Sequence, residues 1–110
     1  MSQAEDQYDE FISSIGQSIP KVDVNLLVKI MYLERRLPDV APRVELHIEY
    51  KPKVDPMRKQ EELRAQFGFP TQTSLHGLTA VGQINIRIIE KISKDQDIEH
   101  ISGTATPASY

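Results

Sequence analysis

Over residues 78–88 every second position is apolar or small (Leu78, Ala80, Gly82, Ile84, Ile86, Ile88), and Thr79, Gln83, Asn85 and Arg87 are among the residues between. A strand turns successive side chains to opposite faces, so a period of two predicts a long, half-buried β-strand here. Residues 44–50 repeat the pattern. Val44, Leu46, Ile48 and Tyr50 fall on one side, and Glu45, His47 and Glu49 on the other. Two amphipathic strands imply a sheet with one dry face and one face open to water or to a partner.

The rest of the chain supplies helices to cover the dry face. Ser2 and Glu5 form a capping box before Tyr8, Phe11, Ile12 and Ile15, and Gly16 follows them, which predicts an N-terminal amphipathic helix over 3–15. Its apolar stripe docks on its own domain or serves as an arm for a neighbour. Asp23 caps a second helix over 24–37, built on Leu26, Ile30, Leu33 and Leu37 and ended by Pro38. A third helix over 56–67 starts at Asp55-Pro56, stops at Gly68 and meets the core along a narrow stripe of Met57, Leu63 and Phe67, with Ala65 as a further candidate.

Residues 69–77 read as a long polar loop, and Gly82 as a bulge in the main strand. Beyond Ile89 the reading divides between a short capped helix and a hairpin turning at Asp95-Gln96, with a return strand from Ile98 to about Thr106. The β-branched residues favour the hairpin. Residues 107–110 form a short polar tail. The expectation is one domain over 1–110 in the α+β class. It has a small, mainly antiparallel sheet of about three strands with helices on one face, in the order α-α-β-α-β-β.

Composition removes several function classes. The chain of 110 residues has no cysteine, which excludes disulfides, thiol nucleophiles and cysteine-ligated metals. A net charge of −3 gives no overall attraction to nucleic acid or to an anionic membrane. No apolar run spans a bilayer and the start lacks the features of a signal peptide, so the chain is expected in the cytoplasm with no membrane partner. No phosphate-binding glycine pattern or nucleophile elbow occurs, and no cofactor is expected.

Three groups of residues carry chemistry. Glu45, His47 and Glu49 project from one strand face and are legitimate metal ligands, with His76 and His100 as further histidines. His76-Gly77, after Thr71, Gln72, Thr73 and Ser74, offers a loop imidazole for acid–base work. Lys51, Lys53, Arg58 and Lys59 gather around Asp55, with Arg87 and Lys91 extending the patch along the strand face. Such a patch suits an anion or nucleic acid. The absence of a coherent catalytic set favours a small protein-interaction or regulatory module. It would act as a homodimer or a subunit of a larger assembly, with Tyr8, Phe11, Ile12 and Ile15 as a contact. Nucleic-acid or anion binding, and a metal enzyme using Glu45, His47 and Glu49, are the alternatives.

Overall fold

The computed structural model describes residues 19–107. The helix expected over 3–15, with Tyr8, Phe11, Ile12 and Ile15, lies outside the described residues, as do residues 108–110. The described elements are α1 (Val24–Arg36), β1 (Arg43–Tyr50), α2 (Pro56–Phe67), β2 (Thr71–Thr73), β3 (Gly77–Gln83), α3 (Ile86–Ser93) and β4 (Ile98–Thr106). The class is α+β. The four strands form one antiparallel sheet in the order β2-β3-β1-β4. From β1 onward the order is β-α-β-β-α-β, in which each helix joins strands separated by one other. This is the split βαβ, or ferredoxin-like, topology, with α1 added in front.

Local chemistry accounts for each element. The Asp23 side chain accepts a hydrogen bond from Asn25 N–H at 3.0 Å and starts α1, which buries Leu26, Leu27, Ile30 and Leu33. Asp55 does the same for Met57 N–H, Pro56 fits the first turn, and Gly68 closes α2 at a φ of 75°. The buried stripe of α2 is Lys59 and Leu63 with half-buried Phe67, while Met57 is exposed. A lysine thus takes the place expected of a methionine.

The strand expected over 78–88 ends at Gln83. Ile84 is fully buried in the connection, and Asn85 accepts from Ile88 N–H at 2.9 Å to begin α3. A second bond, from Ile86 N–H to Glu34 of α1, holds that helix start at 3.1 Å. The return strand Ile98–Thr106 is present, but it follows a helix and pairs with β1 instead of β3. Residues 71–73 form a fourth strand inside the expected loop, so the crossover from β1 through α2 lands on β2. Gly82 carries no bulge. It pairs with Val44 in regular register, and the Phe69 ring occupies the space its side chain would need.

The core lies between the helices and one face of the sheet. Val44, Leu46, Ile48, Leu78, Ala80 and Ile101 from the strands meet Leu27, Ile30, Leu63, Ile89 and Ile92 from the helices. No helix among the described residues is long and apolar enough to cross a membrane.

Candidate interaction surface

Exposure strictly alternates along β1: Arg43, Glu45, His47 and Glu49 are exposed, and the residues between them are buried. Because β1 is an inner strand, this means that no described element covers the second face of the sheet. Register places the neighbours. Val81 and Thr104 flank Glu45, Thr79 and Ser102 flank His47, and Gly77 and His100 flank Glu49. The open face is therefore rich in hydroxyls, imidazoles and carboxylates, and carries no phenylalanine, tyrosine or tryptophan at these positions.

Two shallow hollows mark this face. One, of about 210 Å³, is lined by His47, Glu49, Ser74, His76, Gly77, Thr79, His100 and Ser102 among others. It draws together all three histidines of the chain. They come from β1, the β2–β3 turn and β4, and only the sheet register makes them neighbours. The floor is bare at Gly77, where a Cβ would lie 2.0 Å from the Ile48 carbonyl oxygen. The second hollow, of about 270 Å³, lies among Arg43, Glu45, Val81, Thr104 and Thr106. At the tip of the β2–β3 turn Leu75 is 84% exposed, a large apolar side chain beside the first hollow.

The expected metal ligands Glu45, His47 and Glu49 do share one face. Among the described residues, however, no group of three or more such side chains is placed to hold an ion. His47 Nδ1 lies 3.2 Å from the Thr79 hydroxyl. No carboxylate among the described residues hydrogen-bonds that imidazole to orient it as a base, which nucleophilic chemistry generally requires.

The basic group is rearranged. Lys59 is only 7% exposed, and its Nζ lies 2.7 Å from Asp97, 2.9 Å from Asp95 and 3.5 Å from Glu62. Burial opposes its charge, but hydrogen bonds to Asp97 and Asp95 win and hold the ammonium above its usual range. In return Lys59 keeps the Asp97 carboxyl below the usual range, against a smaller effect of burial. Arg58 is 3.9 Å from Asp97. Arg87 and Lys91 belong to α3 and not to the open strand face, which corrects their expected position. Lys51 and Lys53 remain exposed at this corner, but Lys59 is already engaged by carboxylates. Sequence reading missed this network because Asp95 and Asp97 lie far along the chain from Lys59.

Tyr50 closes the buried side of this network. Burial, and then the charge of Asp95, push its phenol up to about 12 from 10.0. A pKa raised in the folded state stabilises the fold below the ordinary value and withdraws that support as pH climbs from 10.0 through 12. Tyrosinate absorbance of the wild type minus that of Tyr50→Phe should therefore show a step near 12. A step near 10.0 would refute the burial argument.

With this geometry established, comparison with protein-family models, curated proteins and solved structures finds no match for the chain.

Proposed function

We propose that the chain is a small, non-catalytic protein-interaction or regulatory module, cytoplasmic, acting as a homodimer or as a subunit of a larger assembly. The observation that carries this reading is the sheet face that no described element covers. A four-stranded layer presents two hollows and an exposed leucine, without an oriented catalytic base or a converged metal set among the described residues. The partner's chemistry follows from the lining. Carboxylates Glu45 and Glu49, with the hydroxyls of Thr79, Ser102 and Thr104, suit a polar protein surface bearing cationic and hydrogen-bonding groups around an apolar cup for Leu75. Single-stranded nucleic acid is a poorer fit, since base-stacking sheets chiefly use exposed phenylalanine, tyrosine or tryptophan, and the positions flanking β1 on this face carry none, while Glu45 and Glu49 repel phosphate. Fold alone carries no weight here, because split βαβ topology serves many functions.

The test compares proteins captured by the wild-type chain with those captured by Thr79→Arg, which fills the open face, and by Lys29→Glu on α1. Binding should fall at least about tenfold with the first and stay unchanged with the second. Equal capture by all three, or no capture from a wild type that is monomeric at micromolar concentration, would refute the reading.

A further inference from the structure

Resting on the interaction-module reading, we propose that a second copy of this chain pairs with the edge of β4 over residues 102–106, joining two sheets into one of eight strands. The two edges of the sheet differ in kind. The β2 edge is three residues long and preceded by Pro70, which leaves little to pair with. The β4 edge is nine residues long, and at Ile101 it is already occupied. Ile101 donates its N–H to the Lys21 carbonyl at 2.9 Å and accepts from Asp23 N–H at 2.8 Å. The backbone groups of Ile101 therefore point away from β1.

Alternation along an antiparallel strand carries that outward direction to Gly103 and Ala105. Neither makes an outward backbone bond among the described residues. From 102 to 106 the strand reads Ser-Gly-Thr-Ala-Thr, with no charge and no proline, and Pro107 follows. Edges left exposed are usually blunted by lysine, proline or a bulge. This stretch has none of the three.

The pairing register is determined by what the edge already holds. If the twofold axis passes through Thr104, Gly103 meets the partner's Ala105, and each of these residues exchanges both its N–H and its C=O. An axis at Gly103 would set the partner's Ala105 against Ile101, whose groups are taken by residues 21–23. An axis at Ala105 would set the partner's Pro107, which has no N–H, against Gly103. Only the Thr104 register fills the outward groups of Gly103 and Ala105 and leaves the bonds of Ile101 in place. It faces Thr104 with its own copy as a non-hydrogen-bonded pair on the open side, the closest kind of cross-strand approach. The hollow lined by Thr104 and Thr106 then lies beside the axis, and the two open faces form one surface.

The register makes a charge-swap test available, read by sedimentation velocity of the full chain from about 1 to 100 µM. Wild type should be dimeric at the upper end. Thr104 is exposed, so Thr104→Lys and Thr104→Glu should fold, yet each should weaken the dimer at least about tenfold by placing like charges face to face. Mixing the two variants in equal amounts should restore a heterodimer. A wild type that stays monomeric overturns the proposal, as does a dimer indifferent to both variants or a mixture that fails to reassociate. None of these results bears on partner capture sensitive to Thr79→Arg, so the edge can fail while the open-face reading stands.

Discussion

Gly103→Ala should destabilise the protein by about 3 kcal/mol, a large loss for the addition of one methyl group. Two independent obstacles meet at this residue. Its φ is 155°, a conformation that side-chain-bearing residues rarely adopt. A Cβ there would also lie 2.1 Å from the Glu45 carbonyl oxygen and 3.2 Å from Leu46 Cα. Both contacts are to backbone, so no rotamer change relieves them. Nor does β1 have room to withdraw, because it is an inner strand bonded to β3 on its other side. Gly68→Ala is the natural control. Gly68 has a φ of 75° but nothing within 4 Å of its would-be Cβ, so only the conformational penalty of about 1 kcal/mol applies. Chemical denaturation of the two variants checks the difference. Equal losses would mean that the close approach of β4 to β1 is not what Gly103 serves.

Most of the individual elements are legible in the sequence, and the reasons are local. The alternation of residues 44–50 becomes the alternating exposure of β1, since a one-sided sheet imposes that period directly. Helix α2 has the predicted bounds because Asp55, Pro56 and Gly68 each act within a turn of the helix end. The strand over 78–88 went too far for an equally local reason. Ile84, Ile86 and Ile88 continue a period of two, but the steps of three from Ile86 to Ile89 and of four from Ile88 to Ile92 also satisfy a helical period. The Asn85 cap and the Glu34 carboxylate decide for the helix. The first of these is visible nearby, and the second comes from across the fold.

What was illegible is what depends on pairing. Strand β2 has no apolar alternation to announce it, and Thr71 is held by Gln60 and Arg64 of α2, whose side chains bond its carbonyl oxygen at 3.2 and 3.3 Å. The placement of β4 beside β1 cannot be read from either segment. Yet that placement brings His100 and Ser102 next to Glu49 and His47 and makes one hollow of three separate histidines. The candidate surface is thus a product of register more than of motif.

Lys59→Met should reduce stability by about 2 kcal/mol near neutral pH. The figure is set below that of a fully buried ion pair because Asp95 and Asp97 keep roughly a third or more of their side-chain surface in water. The site is a joint. Asp95 and Asp97 lie in the turn between α3 and β4, and Lys59 ties that turn to α2. The turn is also held by Lys21 Nζ on the Asp95 carbonyl at 2.7 Å and by Lys51 N–H on the Asp97 carbonyl at 2.9 Å. Methionine keeps the length of the side chain and its packing but removes the ammonium on which Asp95 and Asp97 converge, leaving Asp97 the longer contact to Arg58 at 3.9 Å. The pH dependence separates this loss from a packing defect. The Asp97 carboxyl is held below its ordinary 3.8, so its contribution is present above that value and fades as pH falls through the folded one. The Lys59 ammonium is held above its ordinary 10.5, so its contribution is complete below that value and is lost as pH rises beyond it. The gap between wild type and Lys59→Met, measured by urea denaturation across pH, should therefore be widest in the neutral range and narrow at both ends. A gap that stays constant from acid to alkali would assign the loss to packing and remove the charge network from the account of how α2 is fastened to the sheet.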